Sequence, residues 1–181
     1  TKSVLFICLG NICRSPMAEA VFAHLVHQKG LEGQWSWDSA ALGPWHVGKG
    51  PDRRTMKVLK DKKVEYSHRA RQITSDDFSK FDYIFGMDDD NISELTRRAP
   101  KSATAKILLL GSFDPEGDVQ IRDPYYDDDD KGFYKCYDQC LRSCTAFIES
   151  QILTLDFLRR FDRCPKERSR GLRIKECLPR V

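Results

Sequence analysis

The stretch richest in chemistry runs from Cys8 to Ser15 and reads Cys-Leu-Gly-Asn-Ile-Cys-Arg-Ser. Gly10 and Asn11 are of the types that best tolerate positive φ, so the segment is able to curl with successive N–H groups turned inward. A helix starting directly after it would aim the positive end of its dipole at the same point. Convergent amides at a helix N-terminus make an anion site. Arg14 adds a planar fork that matches two phosphate oxygens. Such a cradle holds a dianion without any metal, and its positive potential favours the thiolate of a cysteine at its mouth. Cysteine pKa values in such settings fall from ~8.5 to ~3.5–7.5. Cys8 is therefore the candidate nucleophile, and Ser15 lies near enough in sequence to donate its hydroxyl to the sulfur. The implied reaction is attack on a phosphate ester, giving a phosphocysteine that water then hydrolyses. A lone cysteine would be read as a small buried apolar residue; Cys-x5-Arg-Ser between a strand and a helix favours the nucleophile. Cys13 keeps two readings: packing, or a redox partner that forms a disulfide with Cys8 and protects it from irreversible oxidation.

Such a reaction also needs a general acid for the leaving oxygen. Asp123, in Asp-Pro-Tyr-Tyr, follows the last expected strand and so lies at the same end of the sheet as the cysteine loop. Pro124 restrains the backbone beside it, and Tyr125 and Tyr126 are placed to wall an aromatic pocket.

Short apolar runs alternating with helical patterns must position these groups. Strands are expected at Ser3–Cys8, Gln34–Ala40, Asp82–Met87 and Lys106–Leu110. Helices are expected at Pro16–Lys29, Pro51–Lys62 and Asp89–Arg98, with a long one from Gly132 beyond Leu155. Met17, Ala20, Val21 and Leu25 set the phase of the first helix, Met56, Leu59 and Val64 that of the second. Pro16 suits a first turn and Gly30 a C-terminal cap. Strands separated by such helices require right-handed crossovers, hence an α/β fold: a four-stranded parallel sheet, doubly wound, with helices on both faces. Ligands then bind beyond the carboxyl ends of the strands, where strand order switches. The order itself is left open.

The chain has 181 residues, 40% hydrophobic and 31% charged, an ordinary globular composition that excludes a wholly disordered chain and a disulfide-dense miniature. Seven cysteines, odd in number and uneven in spacing, suit free thiols in a reducing compartment. No apolar run approaches the ~20 residues that span a bilayer. Val4–Leu9 is too short for a signal-peptide core, so a cytoplasmic location is expected. From Gln151 to Val181 nine Lys or Arg stand against four Asp or Glu, a net +5, which leaves −2 for residues 1–150 of a chain whose total is +3. Residues 1–150 are thus read as the catalytic domain, and 151–181 as a helix continuation plus a basic extension. Clustered cations of that kind contact anionic surfaces at low salt; no aromatic interleaving marks a specific nucleic-acid partner. Asp127–Asp130 is read as a solvated acidic loop before the last helix.

The Cys8–Pro16 motif and the downstream Asp123-Pro-Tyr-Tyr126 resemble the low-molecular-weight protein tyrosine phosphatases. So do Trp37–Ser39, Ser67–Ile73 and Phe81–Asp88, and the likeness runs from Lys2 to about Ser150. The resemblance implies a phosphotyrosine protein phosphatase I-like fold, no cofactor, no metal, and phosphotyrosine proteins and small aryl phosphates as substrates. It makes Cys8 the nucleophile, Arg14 the phosphate clamp and Asp123 the acid, then the base. Leu9, Gly10, Asn11, Ile12, Cys13 and Ser15 supply the phosphate-binding loop. Asn11, Ser15, Ser39 and His68 match a hydrogen-bond network that holds the loop. Trp45 and Tyr125, with Leu9, match the walls around the substrate ring. Asp88 matches a supporting carboxylate, and Tyr125 and Tyr126 match positions of phosphorylation. Gly43-Pro44 ahead of Trp45 departs from the family pattern, which leaves substrate preference open there.

Three rival readings fit the residues less well. An arsenate reductase on this scaffold relays oxidation through further cysteines, and none lies between Arg14 and Lys135. A metal site at Cys136, Cys140 and Cys144 would need three thiolates from one helix face, with no His nearby, to wrap a tetrahedral ion; a core stripe fits better. A catalytically idle phosphotyrosine-binding protein should lack a catalytic group, and here Cys8, Arg14 and Asp123 are all present. The related arginine phosphatases carry Thr where this loop has Ile12; the apolar Ile favours an aromatic ester.

Overall fold

The computed structural model describes residues 1–162, with side chains through residue 154. Four strands, β1 (Lys2–Cys8), β2 (Trp35–Ala41), β3 (Tyr83–Gly86) and β4 (Lys106–Leu109), form one sheet in the order β2-β1-β3-β4. All pairings are parallel, and Phe6 lies between Ser39 and Phe85 while Cys8 lies beside Ala41. The chain leaves β1 for β2 on one side and then crosses to β3 on the other. The carboxyl end of β1 is therefore the switch point at which a crevice opens, and residues 9–13 start there.

Strand alternation sends side chains to two cores. Leu5, Ile7, Ala40 and Ile84 pack on one face with Leu42, Ile73, Phe81, Phe78 of the short α3 (Asp77–Lys80) and Leu95 of α4 (Asp89–Arg98). Phe6 and Phe85 face the other side, against Phe22 of α1 (Arg14–Gln28) and Phe147 of α5 (Lys131–Asp162). Helices thus cover both faces, as expected. By contacts the chain divides into Thr1–Glu149 and Ser150–Val181. The first contains the sheet and the early turns of α5; the second continues the α5 helix to Asp162. The basic extension, and the anionic contacts expected of it, lie outside the described residues from 163 onward.

Boundaries shift for local reasons. Helix α1 begins at Arg14 rather than Pro16, which puts Arg14 and Ser15 in its first turn. Its end is as expected, with Gly30 in the left-handed region at φ 64° just past the cap at Lys29. Helix α2 spans Arg53–Asp61, shorter than expected, because Asp52 caps it by accepting the Arg54 N–H at 2.7 Å. Its buried residues are Thr55, Val58 and Leu59, with Met56 only half-buried, so the helix is rotated from the expected phase. Asp82 is not part of β3; its carboxylate accepts the Ser3 N–H at 2.7 Å and ties the two strands at their start. Helix α3 and a 3₁₀ turn at Leu110–Phe113 were not expected; four residues are too few to show a helical period. Cys136, Cys140 and Cys144 are buried and free, in the core as read. Among the described residues no helix is long and apolar enough to cross a membrane.

Phe147 is fully buried, with its ring 4.9 Å from Phe85, 5.1 Å from Phe113 and 5.6 Å from Trp35. Phe147→Ala should cost about 3–5 kcal/mol, read as a lower urea midpoint with the slope unchanged. A loss below about 1 kcal/mol would show that this aromatic cluster does not anchor α5.

Candidate functional site

Cys8 ends β1 and is buried. Its Sγ accepts the Asn11 N–H at 3.3 Å and lies 3.1 Å from the Ser15 hydroxyl. The Asn11 N–H turns its positive end toward the sulfur. The turn that brings the Asn11 amide back to Cys8 depends on Asn11 itself, at φ 54° in the left-handed region. Gly10 does not adopt positive φ, contrary to expectation. It is needed for close approach, since a Cβ there would sit 2.8 Å from the His46 ring.

The Asn11 side chain is fully buried and fully used. Its Nδ2 donates to Ser15 Oγ at 2.9 Å and Ser39 Oγ at 2.8 Å. Its Oδ1 accepts from His68 Nε2 at 2.8 Å and from the Arg71 N–H at 3.1 Å. The four positions read as a network therefore meet. Behind them stands Glu19, one turn beyond Ser15, whose Oε2 accepts the hydroxyls of Ser39 at 2.5 Å and Tyr66 at 2.6 Å. Burial, then the Glu19 charge, pushes the Tyr66 phenol up, which keeps it a donor. Sequence reasoning missed Glu19 and Tyr66; a carboxylate four residues after Ser15 on the same helix face was the available sign. Glu19, Asp38 and His68 have ligand atoms within 4.8 Å of one another. Asp38, however, is paired with the Arg71 guanidinium at 2.8 Å, and Glu19 is taken by two hydroxyls, so the cluster is a hydrogen-bond hub.

Arg14 is buried beneath the loop. Its Nη1 donates to Asp88 and, at 3.1 Å, to the Ile121 carbonyl, while Nη2 donates to Asp123 Oδ2 at 2.8 Å. Burial works against its charge, but Cys8, Asp123 and Asp88 outweigh that and push its pKa up. Its Nε–H is buried without a hydrogen-bond partner among the described residues; a phosphoryl oxygen would supply one. Asp88 also caps α4, accepting the Asn91 N–H at 2.7 Å, so it fixes both helix and arginine. Cys13 differs from Cys8: burial first, then Asp52, Cys8 and Asp123, push its thiol up and keep it neutral. Both thiols are free.

Above the loop lies a cavity of about 310 Å³ lined by Cys8, Leu9, Gly10, Ile12, Cys13, Trp45, His46, Asp123, Tyr125 and Tyr126, within the size range of small-ligand sites. Asn11 and Ser15 do not line it; they brace it from behind. His46 is the lining residue that the sequence reading missed. Trp45 packs directly against Gly43, since a Cβ there would be 1.8 Å from the indole. That explains the Gly43-Pro44 departure: a side chain at 43 would displace the wall. Tyr126 is 89% exposed and is the more accessible of the two tyrosines read as phosphorylation positions.

Comparison with known proteins follows the same lines. The family model for low molecular weight phosphotyrosine protein phosphatase matches residues 3–155. The pig protein of that name is 50% identical over 151 residues, covering 82% of this chain and 95% of its own. Among solved structures, Primo-1 superposes with a TM-score of 0.81 at 45% identity, over 84% of this chain and 99% of that one. A Drosophila arginine phosphatase does so with a TM-score of 0.78 at 43% identity, over 82% and 96%.

Arg71, whose N–H meets Asn11, is fixed in turn by Asp77 of α3 through contacts at 2.9 and 3.2 Å. Burial alone would raise the Asp77 carboxyl, but Arg71 and the Thr74 N–H outweigh it and hold its pKa below the usual range. A depressed folded-state pKa gives stability that is complete above the unfolded value of about 3.9 and is lost as pH falls through the lower folded value. Asp77→Asn should therefore flatten the acid limb of stability against pH below about pH 4, measured by urea unfolding. An unchanged acid limb would mean that the pair contributes nothing there.

Proposed function

The chain belongs to the low molecular weight phosphotyrosine protein phosphatase family, and from that premise we propose that it hydrolyses phosphotyrosine in proteins, and small aryl phosphates, through a phosphocysteine on Cys8. The observation that carries this reading is Cys8 Sγ held by the Asn11 N–H and the Ser15 hydroxyl on the floor of a cavity that Asp123 also lines. The phosphate dianion sits on the loop amides of residues 9–15, with the unpartnered Arg14 Nε–H and the positive end of α1 meeting its charge. The Cys8 thiolate attacks phosphorus in line. Asp123, protonated, gives its proton to the departing tyrosyl oxygen, then as carboxylate takes one from the water that breaks the P–S bond. Asp123 and the phosphate compete for Arg14, so substrate binding frees the acid from its ion pair.

No metal is needed, because the cradle and Arg14 meet the dianion's charge. Leu9, Ile12, Trp45 and Tyr125 give the cavity apolar walls that suit an aromatic ring, and Ile12 favours the aryl ester over a phosphorylated guanidinium. The activity is assigned to residues 1–150. Free thiols at all five cysteines with described side chains fit a reducing compartment, and a cytoplasmic location is part of the proposal.

The test is hydrolysis of p-nitrophenyl phosphate and phenyl phosphate in the presence of a chelator. Cys8→Ser should fall to background on both. Asp123→Ala should lose about 10²–10⁴-fold on phenyl phosphate, whose leaving group needs the proton, and less on p-nitrophenyl phosphate. Unchanged rates in Cys8→Ser would reject the mechanism.

A further inference from the structure

The loop carrying Asp123 has no regular element between the 3₁₀ turn ending at Phe113 and α5 starting at Lys131, so separate ties must place it. The Ile121 N–H donates to the Met87 carbonyl at 2.8 Å, and side chains hold the residues beyond. One tie, Arg14 to Asp123, is the one that a bound phosphate would compete for. Arg54 supplies another that substrate does not touch. We propose that Arg54 is a positioning residue that joins the phosphate loop to the acid loop and thereby sets where Asp123 stands over Cys8; this rests on the phosphatase reading above.

The connection can be followed atom by atom. In the phosphate loop, the Ile12 carbonyl accepts the Asp52 N–H at 2.8 Å. The Asp52 carboxylate accepts from Arg54 Nε at 3.1 Å and Nη2 at 3.2 Å, which orients the guanidinium. The far side of that fork donates to the Tyr125 carbonyl at 2.8 Å and the Asp127 carbonyl at 3.0 Å. The guanidinium carbon lies 4.4 Å from the ring centre of Phe133, a fully buried residue of α5, which fixes its plane. Tyr125 in turn donates its N–H to Asp123 Oδ1 at 3.1 Å. Four bonds in one plane, to a carboxylate on one side and two carbonyls on the other, require a guanidinium. A lysine ammonium keeps the charge but cannot span both loops.

The experiment measures kcat and KM for phenyl phosphate and p-nitrophenyl phosphate in Arg54→Lys and Arg54→Ala, each alone and combined with Asp123→Ala. If Arg54 acts through the acid, kcat on phenyl phosphate should fall about tenfold or more in Arg54→Lys, with a smaller loss on p-nitrophenyl phosphate. In the Asp123→Ala background, Arg54→Lys should then cause no further loss, because neighbours acting as one unit are not additive. Equal losses on both substrates, a loss that persists without Asp123, or no loss would overturn the proposal. Should Arg54→Ala fail to fold, the lysine variant, checked by its melting temperature, decides alone. An Asp123→Ala protein as fast as the wild type on phenyl phosphate would instead overturn the acid assignment, and the clasp with it.

Discussion

Between the last residue of β1 and the first of α1, the chain must turn so that the Asn11 N–H meets the Cys8 sulfur, and Asn11 must do so at φ 54°. For a non-glycine residue that conformation costs of order 1–3 kcal/mol and persists only where surrounding structure over-determines it. Here the over-determination is explicit. The two ends of the Asn11 amide are held by Ser15 of α1, Ser39 of β2, and His68 and Arg71 of the segment that follows α2. The four partners arrive from three different parts of the fold. The loop's shape is therefore a property of the whole sheet and its crossovers, and no isolated peptide of this sequence would keep it.

The same arrangement governs charge. Arg14 would be costly alone in its buried position, and Asp88, Asp123 and Cys8 surround it with negative groups that offset the desolvation. The two cysteines of the loop are thereby separated chemically although five residues apart. Cys8 accepts the Asn11 N–H and sits beside the Ser15 hydroxyl, while burial first, and then Asp52, Cys8 and Asp123, keep the Cys13 thiol neutral. In the proposed reaction this leaves one sulfur able to attack and spares the site a second anion. A phosphate dianion competes better for the cradle when only one thiolate shares it.

What could be read from sequence divides along physical lines. Groups whose chemistry is unusual for their position, such as Cys8 and Arg14 before a helix or Asp123 before Pro124, stood out at once. The alternation of strands and helices gave the sheet, because burial on both faces writes itself as apolar runs. The supporting residues did not show. Glu19, Tyr66, Arg54 and Asp77 look like ordinary surface residues of helices and loops, and only their burial against partners far along the chain gives them a task. Strand order and the rotation of α2 were equally hidden, since both are decided by tertiary packing. His46 was missed because its contact is with the missing side chain of Gly10, a negative feature that no pattern of apolar residues can reveal.

The wall of the cavity rests on that kind of absence. Trp45 lies against the bare backbone of Gly43, and His46 against Gly10, so His46 seats the wall directly on the loop that follows Cys8. The Gly43 N–H donates to the Leu9 carbonyl at 3.0 Å, which closes the arrangement. Six large hydrophobic residues are exposed among the described residues, and Leu9, Trp45 and Tyr126 of these border one cavity. Scattered apolar residues on a surface need no explanation, but a cluster around one opening does. Exposure of this rim loses hydrophobic stabilisation that folding could otherwise have gained, and the loss is recovered only when an apolar or aromatic group is bound. In the proposed reaction the polar floor and the apolar rim meet two ends of one substrate: an anion at the bottom and a ring at the top, at a spacing set by how closely the wall can lie on the loop.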